Sequence, residues 1–197
     1  MSNSAPNRGL PTVVLAGRRI DAVGATPPRF PLARLTDTTI DVHTMLRRRR
    51  PAVVVSAAAC GADLIALAAA RTLGIRRRIV LPFAPARFRA ESVVDRPGDW
   101  GDLFDEMIGK AEKAGDLVIL SDGAKLADPF TATNERLIAE AFALSGEMPK
   151  PRVAKGRLCG VIVWEGRPRG AGDYTQAFAE LARGKGIFVE EVLTGRG

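Results

Sequence analysis

The residues best suited to chemistry lie in one short segment, Ser56 to Asp63, which reads Ser-Ala-Ala-Ala-Cys-Gly-Ala-Asp. Gly61 carries no Cβ, so ligand atoms can approach its backbone closely, and the first amides of a following helix have no intrahelical acceptor. Such a turn favours binding of a phosphate at the helix start. In the alternative interpretation, Ala58, Gly61 and Ala62 are small only because the helix packs closely on a sheet.

Other glycines and arginines also follow predicted strands. Gly17 and Arg18 come after the first apolar segment, the usual position of a first phosphate-binding loop, although the sequence G-x-G-x-x-G is absent. Arg87 follows the third strand and is expected to bind a phosphate in a bidentate manner, through two guanidinium N–H groups. Gly170 and Gly172 lie in a basic loop after the fifth strand, which is the second candidate phosphate loop.

Further polar and aromatic residues fall where strands end or helices begin. Ser121 directly follows the fourth apolar segment, and Asn134 and Glu135 lie in the early turns of a helix. Asn134 and Glu135 either reach the hydroxyl groups of a ligand or are ordinary exposed residues. Trp100, near another predicted helix start, either stacks on a base or belongs to the core.

Apolar segments alternating with helical patterns must position these residues. Strands are predicted at residues 12–16, 53–56, 79–83, 117–120, 159–164 and 187–192. This alternation predicts an α/β fold with a Rossmann-like, doubly wound, mainly parallel sheet in the order 3-2-1-4-5-6. The switch point then falls between the first and fourth strands, and Gly17, Gly61, Ser121 and Gly172 converge on one edge.

Capping residues indicate where two of the helices begin. Asp128 followed by Pro129 predicts an N-cap and a first helical residue, with the helix ending near Ser145. Asp99 is predicted to be the N-cap of a helix over residues 100–113.

Length and composition favour one globular domain. The chain has 197 residues, of which 46% are hydrophobic and 26% charged. We expect a flexible tail at residues 1–11 and a single domain at residues 12–197. Its apolar segments are strand-sized and its N-terminus has no signal-peptide core, so we expect no membrane span and a cytoplasmic location.

The positive charge is concentrated in clusters. The net charge is +7, and Arg47–Arg50 and Arg76–Arg78 stand out. Both runs are predicted to precede strands, on the sheet edge opposite a ligand crevice, where cations complement helix C-termini. Nucleic-acid binding is the alternative role, and we expect it to be weak and electrostatic.

The segment 56–63 after a strand, its Ala-rich helix, Gly74 and the apolar strand ending at Pro82 resemble the SLOG superfamily of Rossmann-like nucleotide-binding domains. That superfamily includes Smf-type DNA-processing proteins, LOG-type cytokinin-activating phosphoribohydrolases and ligand sensors of bacterial defence systems. The resemblance covers about residues 12–192 and agrees in the order of the elements. It implies ligand contacts near a phosphate or ribose for Ser56, Gly61, Ala62 and Asp63, and for Gly17 with Arg18.

The phosphoribohydrolase branch carries its catalytic glutamate in a segment Pro-Gly-Gly-x-Gly-Thr-x-x-Glu, which is missing here. We therefore expect a non-catalytic domain that binds or senses a nucleotide-derived small molecule, for example an ADP-ribose-like molecule, a nicotinamide dinucleotide derivative or a cyclic nucleotide. We assign it no catalytic residue, metal site or required cofactor. A homo-oligomer is compatible with the sequence.

Two alternatives stay open. One is a nucleotide hydrolase that cleaves an N-glycosidic or phosphate bond, for which Asp63, Asp122 and Glu135 are the candidate carboxylates. The other is a DNA-binding module of the Smf type, against which the lack of interleaved aromatic and basic residues counts.

Overall fold

Helices cover both faces of a six-stranded sheet in the computed structural model, which describes residues 9–120 and 127–195. In this part of the chain the strands are β1 (Thr12–Gly17), β2 (Val53–Ser56), β3 (Arg76–Leu81), β4 (Leu117–Ile119), β5 (Ala154–Trp164) and β6 (Ile187–Leu193). The helices are α1 (Leu35–Arg49), α2 (Ala62–Thr72), α3 (Pro85–Ser92), α4 (Gly101–Lys113), α5 (Pro129–Ser145) and α6 (Tyr174–Gly184), and a short 3-10 turn spans Leu32–Arg34.

The strand order is β4-β3-β2-β1-β5-β6, and every neighbouring pair is parallel. The predicted α/β fold with a doubly wound parallel sheet is confirmed. The predicted order 3-2-1-4-5-6 is wrong, because β4 extends the sheet beyond β3 and β5 takes the place beside β1. The direction of winding therefore reverses between β1 and β5, and Gly17 lies in register with Val163.

The position of β4 fits its length and burial. It has three residues, none of them fully buried, and Ile119 is 39% exposed. A short, half-exposed strand suits a sheet edge, whereas central parallel strands are covered on both faces. Ser121, predicted to join the ligand edge, follows this outer strand and lies outside the described residues.

The third strand begins earlier than predicted. Arg76, Arg77 and Arg78 are its first residues, paired in register with β2, and do not precede it. Arg76 and Arg78 pair with Asp116, and Arg78 also donates to Glu140 of α5 at 2.9 Å. These carboxylates neutralise charge at the amino end of the strand, which allows arginine in the sheet.

Each face of the sheet has its own apolar core. Leu15, Val54 and Leu81 face the side covered by α1, α2 and α4, and Val14, Val55 and Val80 face the side covered by α5 and α6. Successive strand residues point to opposite faces, so the unbroken valine runs fill both cores.

Helix starts agree with the predictions in one case and differ in another. Asp128 caps α5, accepting from the N–H groups of Phe130 and Thr131. Asp99 does not cap α4, because the N-cap position is Trp100 and no side chain bonds there. Trp100 is 5% exposed and its indole N–H donates to the Pro97 carbonyl oxygen at 2.9 Å, so it belongs to the core.

The residues directly before β1 contact the end of α5. The N–H of Leu10 donates to the carbonyl oxygen of Leu144 at 2.9 Å, within the segment predicted as a tail. Across the described residues, no helix combines the length and apolar character needed to cross a membrane.

Candidate functional site

A cavity of about 700 Å³ opens at the carboxyl ends of the central strands. Its floor includes Gly17 at the end of β1, Ala57 and Ala59 after β2, and Pro82 after β3. One wall comes from the loop after β1 and from α3, and the other from the first turns of α5 and α6. Parallel sheets bind ligands at this edge, beside the point where the winding reverses, and the volume is typical of small-molecule sites.

The loop that follows β1 is held by Asp21. Its Oδ2 accepts from the backbone N–H groups of Arg29 and Phe30, at 2.8 and 2.9 Å. The ring of Phe30 is fully buried, which fixes the far end of the loop in the core. Asp21 and Phe30 therefore hold this wall of the cavity in place.

Arg18 lines the cavity, but its guanidinium is engaged by carboxylates. It is 6% exposed, and it binds Glu165 through Nε at 2.6 Å and Asp173 through both terminal nitrogens, at 2.5 and 2.9 Å. Arg29 shares Glu165 at 2.6 Å. The structure thus places the predicted phosphate-binding arginine in an ion-pair network that joins the end of β1 to the loop after β5.

Asp173 has a second role at the start of α6. Its carboxylate accepts from the N–H groups of Arg169, Thr175 and Gln176 at 2.7 to 3.1 Å. Burial acts to raise its pKa, but the bonds from Arg18 and these amides outweigh burial and lower the pKa to about 2. The amides of this helix start are consequently occupied by the protein's own carboxylate.

Asp63 presents a buried carboxyl group in the cavity wall. It is 7% exposed, and its Oδ2 accepts from the N–H of Ala59 at 3.3 Å. Its Oδ1 has no hydrogen-bond partner within the described part of the chain. Burial raises the pKa of Asp63 to about 7, although the Ala59 amide and the charge of Arg19 act to lower it.

Gly61 and Ala62 lie behind the cavity wall, packed against the loop after β1. Gly61 has a φ of 93°, and a Cβ there would lie 2.7 Å from the Arg18 carbonyl oxygen and 2.8 Å from the Ile20 nitrogen. The Ala62 N–H donates to that same carbonyl oxygen at 3.1 Å. Ser56 is fully buried, and its hydroxyl donates to the carbonyl oxygen of Leu15 at 3.0 Å. The space predicted for a phosphate beside Gly61 is filled by residues 18–20.

The other predicted site residues divide between the cavity and the surface. Asn134 lines the cavity, is 8% exposed, and donates through Nδ2 to the Tyr174 carbonyl oxygen at 2.9 Å. Glu135 is exposed on α5, and Arg87 is exposed on α3, where it pairs with Glu91 at 2.8 Å. Gly170 and Gly172 are also exposed, with positive φ and open space around them, and the lining does not include these four positions.

The cavity lining also includes residues that were not predicted as site residues, among them Phe130, Arg169 and Tyr174. Phe130 directly follows the Asp128–Pro129 start signal, and Tyr174 follows Asp173 in the same way. Residues one or two positions after an N-cap lie in the first helical turn. The sequence therefore places Phe130 and Tyr174 at helix starts, close to the carboxyl ends of the strands. Phe130 and Tyr174 are more than 40 positions apart in the chain, so the sequence did not show that their rings contact each other.

No family model matches the chain, and no curated protein shows significant sequence similarity to it.

Proposed function

We propose that this protein binds a nucleotide or nucleotide-derived small molecule in the cavity at the carboxyl edge of the sheet. The observation that carries the proposal is the position of the cavity, beside the reversal of winding between β1 and β5. Ligands of parallel α/β sheets bind at this place because the loops after neighbouring strands diverge there.

The chemistry of the walls supports a phosphorylated ligand with a planar ring. Arginines at the rim supply cations, a buried carboxyl and carboxamide supply hydrogen-bonding groups, and exposed rings supply an apolar surface. Arginine matches the geometry of phosphate oxygens, and a few polar groups in a largely apolar pocket fix a ligand's orientation. The resemblance to SLOG domains, with its implied nucleotide ligand, is part of this proposal, as is a cytoplasmic location.

The proposal is tested by filling the cavity. Ala57→Phe places a ring in the floor, and Ala86→Phe makes the same change on the exposed side of α3, outside the lining. Wild type is titrated calorimetrically with AMP, CMP, ADP-ribose, NAD and a cyclic nucleotide. Ala57→Phe should weaken the best of these more than about tenfold, and Ala86→Phe should not. If wild type binds none of them, the proposal fails.

A nucleotide hydrolase is the second candidate, and Asp63 is the observation that favours it. A carboxyl group with a pKa near neutrality in a cavity wall suits proton transfer at physiological pH. Chromatography of nucleotides incubated with wild type and with Asp63→Asn separates the two functions. Release of base or phosphate that Asp63→Asn abolishes would establish the enzyme, and unchanged nucleotides support the binding domain.

A further inference from the structure

The rings of Phe130 and Tyr174 form an exposed aromatic surface at the α5 and α6 side of the cavity. Their centroids are 5.2 Å apart with a tilt of 46°, and the two residues are 36% and 37% exposed. Rings in such contact normally lie inside a core, so a half-exposed pair lining a cavity leaves apolar area for a ligand to cover.

The backbone that carries the two rings is held in place at several points. Asp128 accepts from the N–H of Phe130 at 3.1 Å, and Asn134 donates to the carbonyl oxygen of Tyr174 at 2.9 Å. Asp173 caps the helix that Tyr174 begins. Because hydrogen bonds fix the backbone at both residues, little backbone conformational entropy remains to be lost when a ligand binds.

Among the described residues, Arg169 is the cavity arginine that has no ion-pair partner. Five arginines of this part of the chain line the cavity: Arg18, Arg19, Arg29, Arg96 and Arg169. The first four pair with Glu165, Asp173 or Asp95.

Among the described residues no carboxylate lies within ion-pair distance of Arg169. Its side chain donates instead to the Gly172 carbonyl oxygen at 2.6 Å. Burial and the Asp128 carboxylate raise the pKa of the Tyr174 phenol, and the charge of Arg169 acts to lower it, so Asp128 and Arg169 both lie near this ring. An anion bound here therefore displaces no carboxylate of the described residues from this guanidinium.

We propose that Phe130 and Tyr174 receive the base of a nucleoside 5′-phosphate and that Arg169 binds its phosphate. This rests on the proposed function and narrows it to ligands in which a planar heterocycle and a phosphate belong to one molecule. Bases of every type stack on aromatic side chains, so the rings contribute affinity with little selectivity between bases. Arg169 contributes the preference for a phosphorylated ligand.

The test separates the base from the phosphate by using fragments of one ligand. Wild type is titrated with AMP, CMP, adenosine and ribose 5-phosphate. AMP should bind about 10- to 100-fold more tightly than ribose 5-phosphate, as expected for one stacked base. AMP should also bind more tightly than adenosine by a similar factor, as expected for one charged hydrogen-bonded group.

The variants should each remove one of these two advantages. Phe130→Ala and Tyr174→Ala should each lower the affinity for AMP to about that for ribose 5-phosphate. Arg169→Gln should lower the affinity for AMP to about that for adenosine. Arg167→Gln changes an exposed arginine of the same loop that does not line the cavity, so it should bind AMP like wild type. Melting temperatures of all variants show that they are folded.

The outcomes distinguish this inference from the proposed function. If AMP and CMP bind and Ala57→Phe prevents it, while Phe130→Ala and Tyr174→Ala bind AMP like wild type, the aromatic subsite is overturned and the cavity function stands. If AMP binds no more tightly than ribose 5-phosphate, the base does not contact the rings. If wild type binds none of the four, this inference is overturned, and the proposed function is then decided by ADP-ribose, NAD and the cyclic nucleotide.

Discussion

Gly61 illustrates how one residue type fits two roles that differ only in what fills the space beside it. A glycine before a helix can admit a phosphate, or it can admit the protein's own backbone. Here the carbonyl group of Arg18 and the nitrogen of Ile20 lie where a Cβ would be. Gly61 therefore positions the loop that forms the cavity wall.

A matched pair of substitutions measures this role. Gly61 and Gly74 both have positive φ, at 93° and 68°, but a Cβ at Gly74 meets nothing within 4 Å. Gly74→Ala should cost about 1 kcal/mol of unfolding free energy from its left-handed conformation alone. Gly61→Ala should cost more, because strain of about 1–3 kcal/mol adds to displacement of the loop. Urea unfolding measures both, and equal losses would contradict the close packing at Gly61.

Asp63 should make stability depend on pH. Its pKa rises from 3.8 to about 7 on folding because burial disfavours the charge. Between about pH 4 and 7 the folded state holds a proton that the unfolded state has lost, so stability falls by up to about 1.4 kcal/mol per unit as pH rises. Above pH 7 both states are ionised and this contribution stays constant.

The measurement compares wild type with Asp63→Asn, which is neutral at every pH. Relative to Asp63→Asn, the unfolding free energy of wild type in urea should fall as pH rises from about 4 to 7 and should level off above pH 7. Parallel curves for the two proteins would show that the carboxyl group is ionised and solvated in the folded state.

At the level of elements, the network around Arg18 joins β1, the loop after β5 and the start of α6. Both Arg18 and Asp173 are 6% exposed, so loss of the arginine leaves a buried carboxylate with fewer partners. Breaking a buried ion pair by removing one partner typically costs about 3–5 kcal/mol.

We expect Arg18→Gln to lower the unfolding free energy by about that amount. Arg29→Gln is the control, because the Arg29 side chain is 25% exposed and, among the described residues, forms an ion pair only with Glu165. Its loss should cost less than about 1 kcal/mol, as for surface pairs. Chemical denaturation measures both variants, and a small effect of Arg18→Gln would show that the network is solvated.

The helices and strands were largely readable from the sequence, and their exceptions have physical causes. Apolar runs and the Asp128–Pro129 start signal were sufficient for the central strands and α5. Arg76 and Arg78 concealed the first half of β3, because only the fold brings Asp116 and Glu140 beside them. The order of strands depends on where β4 is placed, and its apolar residues resemble those of a central strand.

The candidate site was predicted less completely than the fold. The sequence identified Gly17, Arg18, Asp63 and Asn134, all of which line the cavity. It did not show that Arg18 is neutralised, because Glu165 and Asp173 are remote in the chain. It also missed the contact between Phe130 and Tyr174, since the packing of α5 against α6 creates it.

On the scale of the whole molecule, the two edges of the sheet carry different charge arrangements. The carboxyl edge holds the cavity, where most arginines are paired internally. At the amino edge, Arg47 and Arg50 line a smaller cavity beside the ends of α1 and α2, and no ion pair of the described residues involves them. A strand of six residues, such as β1, separates the edges by about 20 Å.

This separation exceeds the screening distance of about 8 Å at physiological salt, so the amino-edge arginines should not influence ligand binding. We expect Arg47→Glu with Arg77→Glu to leave the affinity for AMP within about twofold of wild type.

The same double variant should lose the weak retention on duplex DNA that the net charge of +7 supports. In wild type this retention should itself collapse between about 50 and 200 mM salt. Arg169→Glu provides the opposite control, weakening AMP binding while changing DNA retention little. Calorimetry and a DNA column measure the two effects separately. A large loss of AMP affinity in a folded Arg47→Glu, Arg77→Glu protein would place the ligand at the amino edge and contradict the site described above.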